Sequence, residues 1–254
     1  MSFRIKVPNA KEFSDYIKAI SAIVDEGVFT IDESSIKFCA MDPAHISLVD
    51  FELPKSATEE YECSGSIELG INIDEFLKFL KRAKGNEALE LSYNDSTKKL
   101  EIKLLSAAES IERVFTLSSL EISGGAVPSP KLSFDAKARL DLKVFRDAIE
   151  DASLVSDYVK ISITPEYILL NAKGELGSSN IKMSRIGETV YEIQTDKEVY
   201  GYFSIQYLEK ILKACSSISK ELLMELSTNK PIKLAISIPS GKLDYLIAPR
   251  IEAE

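Results

Sequence analysis

The sequence predicts an α+β fold built twice. Three features carry this: short alternating apolar strands, amphipathic helices, and the return of both at one constant offset. Phe13 recurs as Phe145, Ile17 as Ile149, Asp25 as Asp157, Ile31 as Ile163, Ala40 as Ala172 and Val49 as Ile181, each pair 132 positions apart (145 minus 13). Ile73, Phe76, Phe79 and Leu80 return as Ile205, Leu208, Ile211 and Leu212 at the same offset, with Lys78 and Lys81 returning as Lys210 and Lys213. Two unrelated amphipathic helices share an apolar period, but they do not keep one register from residue 13 to residue 213. The repeat is therefore read as an internal duplication.

Along the first half, Phe3 to Val7 alternates apolar and polar residues, as a half-buried strand does. Pro8-Asn9 breaks it, and Ala10 to Val24 reads as a helix with Phe13, Ile17, Ile20 and Val24 on one face. Val28 to Ile31, Ile36 to Ala40 and Ile46 to Leu53 are short strands between polar turns. Tyr61 to Ile73 alternates again and leads into a helix over Asn72 to Lys84. Its expected buried face is Phe76, Phe79, Leu80 and Ala83, with Leu77 at the edge; Lys78, Lys81 and Arg82 lie opposite. Asp74 and Glu75 in its first turn and Lys84 in its last suit the helix dipole. Ala88 to Tyr93 and Leu100 to Leu105 form a hairpin around Asn94-Asp95-Ser96, and Ile111 to Leu117 is a further strand.

Ser118 to Pro130, with Gly124-Gly125, Pro128, Pro130 and several serines, punctuates the chain at its midpoint. The predicted domains are 1–117 and 133–254, joined by a connector over 118–132. Each half carries two helices and about eight or nine strands, with antiparallel sheets packed on the helices' apolar faces. So many short strands leave edges that must be covered, charged or paired. Ile111 to Leu117 and Asn180 to Arg185 are the edges expected to pair across a subunit boundary. Unlike edges joined head to tail close into a ring if the rotation permits.

Composition narrows the function. The chain has 254 residues, 45% hydrophobic and 28% charged, which is ordinary for a soluble globular protein. No apolar run approaches the roughly 18 residues of a membrane span, and the first residues lack a signal-peptide core. Cys39, Cys63 and Cys215 show no paired spacing, and with His45 as the single histidine no zinc site is predicted. An intracellular, reduced protein is expected, cytoplasmic or nucleoid-associated, and nuclear in a eukaryote. The net charge of −9 argues against a surface coated in nucleic acid but allows a local basic stripe. P-loop, dinucleotide-binding and nucleophile-elbow motifs are missing, His45 has no nucleophile at a motif spacing, and the carboxylates form no spaced cluster. Hence no catalytic residue, metal or cofactor is predicted.

Three runs carry a resemblance: Met41-Asp42 followed by His45-Ile46-Ser47-Leu48-Val49, then Gly174-Glu175-Leu176-Gly177, then Ala248-Pro249-Arg250-Ile251-Glu252. In order, spacing and chain length they resemble the sliding DNA clamps of the proliferating cell nuclear antigen family, and more closely its archaeal branch. The resemblance spans essentially the whole chain. It implies a non-catalytic ring of three chains around duplex DNA, with twelve helices lining the hole and sheets outside. Such a ring is a processivity factor for DNA polymerase and a docking platform for flap endonuclease, DNA ligase and repair enzymes. A clamp loader, which supplies the nucleotide, opens and closes it. A damage-signalling clamp subunit or a structural scaffold is the alternative. Whether the ring is a homotrimer or a heterotrimer of related chains stays open at this point.

On this resemblance Lys78, Lys81, Arg82, Lys84, Lys210 and Lys213 face the DNA, with Lys11, Lys18, Lys143 and Arg146 as lesser members. Contacts of this kind touch phosphate and carry no sequence information. Partner peptides are expected to dock on Met41, His45 and Leu48, on Val127 and Pro128 of the connector, on Pro231, and on the tail residues Leu246, Ile247, Ala248, Pro249 and Ile251. The expected subunit interface takes Ile111, Arg113 and Phe115 from one edge and Ile181 and Met183 from the other. Asp147, Glu150 and Asp151 stand where a DNA-facing helix favours Lys or Arg, so they are expected to oppose the basic helix of a neighbouring chain.

Overall fold

The structure is a computed structural model and describes residues 1–250 other than Ala107, Glu109, Ser123, Gly124, Ala126 and Leu176. Contacts divide the chain into two units. The first comprises Met1–Pro43, Val49–Ser129 and Ile238–Leu243; the second comprises Ala44–Leu48, Pro130–Ser237 and the chain from Asp244 onward. The units interleave in sequence.

In chain order the first half forms β1 (Ser2–Val7), α1 (Ala10–Ile20), β2 (Glu26–Ile31), β3 (Ser35–Met41), β4 (Ser47–Pro54), a 3-10 turn (Lys55–Ala57), β5 (Glu60–Cys63), β6 (Ile67–Asn72), α2 (Ile73–Leu80), β7 (Ala88–Asn94), β8 (Lys99–Ser106) and β9 (Ile111–Ser118). Two antiparallel strand sets result, in the orders β5-β1-β7-β8-β9 and β4-β3-β2-β6. Alternation works as the sequence implies: Phe3, Ile5 and Val7 point inward from β1, and Leu100, Ile102 and Leu104 from β8. The two helices meet through Phe13 and Phe76, whose rings pack edge to face at 6.3 Å, and Phe76 also meets Phe29 of β2 at 6.4 Å.

The second half repeats the plan as β10 (Ala136–Asp141), α3 (Leu142–Ser153), β11 (Tyr158–Ile163), β12 (Tyr167–Lys173), β13 (Ser178–Ser184), β14 (Val190–Gln194), β15 (Val199–Ser204), α4 (Ile205–Cys215), β16 (Glu221–Leu226), β17 (Ile232–Ile236) and β18 (Lys242–Ile247). Its strand orders are β14-β10-β16-β17-β18 and β13-β12-β11-β15, position for position those of the first half. The offset is kept to the residue at the helix starts: Ala10 and Leu142, then Ile73 and Ile205. The residues before them, Asn9 and Asp141, both cap: Asn9 Oδ1 accepts from the Glu12 amide at 3.0 Å and Asp141 Oδ1 from the Val144 amide at 2.9 Å. In both halves the alternation of strand residues and the helical period converge on one apolar interior per unit, from Phe38 and Phe51 in the first to Phe145, Phe203 and Tyr245 in the second.

Three local expectations are corrected. The first helix ends at Ile20, not Val24: the amides of Ala22 and Ile23 bond three residues back, and this tight turn delivers Val24 to the core outside the helix. The second ends at Leu80, so Arg82 and Lys84 lie beyond it. There the Lys84 amide donates to the buried Glu87 carboxylate at 2.7 Å, which turns the chain away. On that helix Leu77 is buried, whereas Phe79 is half-buried against β9, its ring stacked on Phe115 at 5.2 Å. A helix of two turns has no fixed buried stripe; the neighbouring strand decides which side is covered.

Candidate functional site

Apolar periodicity places the helix cations. α4 buries Leu208, Ile211 and Leu212, which leaves Lys210 and Lys213 exposed on the other side. On α2 the same logic exposes Lys78 and the capping residue Lys81; Arg82 and Lys84 are exposed just after it. Lys78 bonds the carboxylate of Glu75 one turn earlier, which holds its ammonium above the ordinary lysine value. Lys11 reaches Asp15 at 3.8 Å, while Lys18 and Lys143 are exposed on α1 and α3. Arg146 differs. It is only half-exposed, and Asp147 at 2.7 Å and Glu150 at 3.4 Å draw its guanidinium along its own helix. Part of the acidic charge on α3 is therefore neutralised within the chain.

The two edges expected to pair are edges in this structure: β9 ends one strand set of the first unit and β13 ends one of the second. Ile111 is 46% exposed on β9. Arg113 and Phe115 share its phase of the strand but are half-buried in their own unit. Arg113 donates to both oxygens of the buried Glu87 and to the Arg82 carbonyl at 2.9 Å, and Phe115 stacks on Phe79. On β13, Ile181 is half-buried, and Met183 is buried among its own strands. Sequence reasoning missed Val114, 47% exposed on β9, and Leu154, 82% exposed after α3. The signal was available: an aliphatic residue on the polar phase of an edge strand, and one just past a helix end.

The residues expected to dock peptides fall in both units. In the second, the Ala248 amide donates to the Ile46 carbonyl at 2.8 Å and the Ser47 hydroxyl to the Leu246 carbonyl at 3.1 Å. The tail and the run Ala44–Leu48 are thereby brought together. Leu48 and Ile247 are buried there, Leu246, Ala248, Pro249 and Pro231 are half-buried, and His45 is exposed. His45 holds a left-handed backbone (φ 57°), uncommon for a residue with a side chain and a mark of a tightly set loop. In the first unit Met41 is exposed, not core, Val127 is half-buried and Pro128 exposed. Directly after them, the Ser129 hydroxyl and the Lys242 ammonium both bond the Asp50 carboxylate, with 3.4 Å between lysine and serine. This clasp pins the end of the connector; its members lie far apart in the chain and gave no sequence signal. Ile251 lies outside the described residues.

Among the described residues no group of three or more His, Cys, Asp or Glu side chains is placed to hold a metal ion, and the three cysteines are free thiols. Burial pushes the Cys39 thiol up to about 12, the opposite of an activated nucleophile. No described helix is long and apolar enough to cross a membrane.

Known proteins match this arrangement from end to end. Residues 2–123 match the N-terminal domain of proliferating cell nuclear antigen and residues 129–251 its C-terminal domain. A DNA polymerase sliding clamp of Cenarchaeum symbiosum is 30% identical over 255 residues, covering 100% of both chains. One from Thermococcus gammatolerans is 34% identical over 253 residues, covering 99% of this chain and 100% of its own. The crystal structure of the proliferating cell nuclear antigen of Thermococcus kodakaraensis superposes with a TM-score of 0.90 at 25% identity, covering 98% of this chain and 100% of that one. The chain belongs to the proliferating cell nuclear antigen family.

Proposed function

We infer that this chain works as a DNA sliding clamp, three subunits closing head to tail into a ring around duplex DNA. The observation that carries the reading is the duplicated helix, α2 and α4, with exposed lysines in register on a chain that clamp relatives match along its whole length. The face is suited to phosphate and to nothing sequence-specific: a few exposed, exchangeable cations on rigid helices. Lys81, Lys210 and Lys213 are its centre, with Arg82, Lys84, Lys18 and Lys143 beside them. Lys78, Lys11 and Arg146 are set back by their own carboxylates. Retention comes from closure of the ring, so weak contacts permit sliding.

Subunits join through β9 of one chain and β13 of the next. Main-chain pairing supplies the register, with Ile111 and Val114 as apolar cover on the β9 side and Ile181 and Leu154 on the β13 side. Asp151 of α3 opposes a basic neighbouring helix, Asp147 and Glu150 being partly engaged by Arg146. DNA polymerase, flap endonuclease and ligase dock through short peptides on Leu48 and the tail from Leu246 to Pro249, which the second unit holds together. The clamp itself catalyses nothing and takes no cofactor; the loader brings the nucleotide. It works at the chromosome, in whichever compartment holds it.

Native mass measurement of this chain alone is the first test, with a mass of three chains expected. A monomer that becomes a ring only with related chains would overturn the homomeric form. The purified ring, once loaded, is expected to stay on nicked circular DNA and to leave after linearisation; equal retention on both would overturn the clamp reading. Leu48→Ala is expected to weaken a partner-type peptide about tenfold or more with the ring intact, as truncating a buried anchor does. Unchanged affinity in titration calorimetry would count against the pocket.

A further inference from the structure

The solvent face of the set β13-β12-β11-β15 stands apart from the rest of the chain. Its four strands contain no Asp or Glu, in a protein that has 40 acidic residues. Alternation sends Tyr200 and Tyr202 outward from β15, Lys160 from β11 and Lys182 from β13, while Val159, Ile161 and Phe203 go to the core. Three cations there are held over tyrosine rings: Lys160 lies 4.2 Å from the Tyr200 centroid, Lys182 4.1 Å from that of Tyr167, and Arg250 4.3 Å from that of Tyr158. Among the described residues none of these cations joins an ion pair. They contrast with Lys11, Lys78 and Arg146 on the helices, which do.

The face is continuous with the peptide-docking tail. The Ala248 amide bonds Ile46 beside the proposed pocket, and two residues on the Arg250 amide bonds the Tyr202 carbonyl at 2.7 Å. An extended chain covers that step in about 7 Å, so a peptide seated against the tail reaches the face with its next few residues. The tyrosines each carry a cation on one ring face, which suits carboxylates meeting the cations better than bases stacking on the rings.

We propose that this face binds acidic residues flanking the docking motif of partner proteins, and so selects partners whose motif is followed or preceded by Asp and Glu. The proposal rests on the peptide-pocket reading and adds a specificity element to it.

The test compares three synthetic peptides by calorimetry on the assembled protein: a core docking peptide, the same peptide with four glutamates at one end, and the same with four at the other. One extended form is expected to bind about three- to tenfold tighter than the core at low salt, the gain fading above the ionic strength that screens exposed charges. Lys160→Glu with Lys182→Glu is expected to abolish the gain and leave the core peptide's affinity unchanged. The neutral pair Lys160→Gln and Lys182→Gln, less disturbing to the sheet, is expected to lose most of it. Equal affinity of core and both extended peptides would overturn the proposal while leaving the pocket standing. If the core peptide does not bind, the pocket reading fails, and the face is tested alone with free hexaglutamate and carbodiimide coupling. Cross-links to Lys160 or Lys182 then support an acid-binding face, and their absence overturns it. Displacement of the extended peptide's gain by oligo-dT, with photo-cross-links to Tyr200 and Tyr202, would also overturn it, assigning the face to nucleic acid.

Discussion

The set β4-β3-β2-β6 in the first unit and the set β13-β12-β11-β15 in the second are copies with the same strand order and mostly apolar residues at the same inward positions. Their outsides have little in common. The first set includes Glu26, Asp50, Glu52 and Glu68, and its edge strand β6 is bridged at Gly70 by Leu120 of the connector. The second has no acid and is covered with lysine and tyrosine. Each copy holds a glycine at a close backbone approach, but not at matching positions, since Gly70 corresponds to Tyr202 and Gly174 to Asp42. A Cβ on Gly70 would sit 2.2 Å from the Leu120 carbonyl oxygen, and one on Gly174 would sit 1.8 Å from that of Val155. Duplication has preserved what packing dictates, because a one-methylene change inside is felt at once. It has released what only solvent and partners dictate, and there the two copies diverged in charge.

The interior half of that contrast is the costliest to break. Phe76 and Leu208 occupy the same place in the two copies, and both are buried against their own sheets. Phe76→Ala is expected to cost about 3–5 kcal/mol and Leu208→Ala about 2–5 kcal/mol in denaturant unfolding. Comparable losses from both would establish that the copies share one packing rule. A negligible loss at either site would show that its unit has drifted from the common interior.

Each copy also buries a carboxylate on the matching strand, at a different position and with different partners, and pH sharpens the comparison. Glu90 on β7 and Glu225 on β16 are each 6% exposed within a sheet. The Arg4 hydrogen bond at 2.7 Å, assisted by Lys103, holds Glu90 below the usual carboxylate range against the opposing effect of burial. Burial is the largest influence on Glu225 and acts upward, but Lys137 at 2.9 Å and Lys233 at 3.0 Å together outweigh it, so its value is lowered too. A carboxylate with a depressed folded value contributes stability that is complete above its unfolded value, near 4.5, and is lost as pH falls through the folded value. Stability is therefore expected to fall on acidification below about pH 5. Glu225→Gln and Glu90→Gln are expected to cost about 1–3 kcal/mol each at neutral pH and to flatten the acid slope. Chemical denaturation at a series of pH values checks both, and an unchanged slope in either variant would remove that pair from the account.

Much of this was legible beforehand, because the features that made it so are local and periodic. The constant offset from Phe13 and Phe145 to Lys81 and Lys213 gave the duplication, and alternation gave the strands. What escaped depends on contacts between distant segments. Phe79 and Leu77 exchanged roles because Phe115 covers one side of a two-turn helix. Arg146 is a local case instead: Asp147 and Glu150, one and four residues on along the same helix, hold its guanidinium. The Ser129–Asp50–Lys242 clasp joins three positions that no period connects.

The smallest effect concerns the helix starts, where the copies differ by one hydrogen bond. Asn72 caps α2, its side-chain oxygen accepting from the Glu75 amide at 2.9 Å. Ser204 stands in the same place before α4 and makes no side-chain cap bond. Both residues are of types that cap well, so sequence alone would assign them equal roles. Geometry assigns them unequal ones. Asn72→Ala is expected to cost about 1 kcal/mol, the ordinary worth of a cap, while Ser204→Ala is expected to cost no more than a few tenths. Equal losses, measured by the shift in denaturant midpoint at constant slope, would mean that Ser204 closes its cap in solution and that this difference between the copies does not exist.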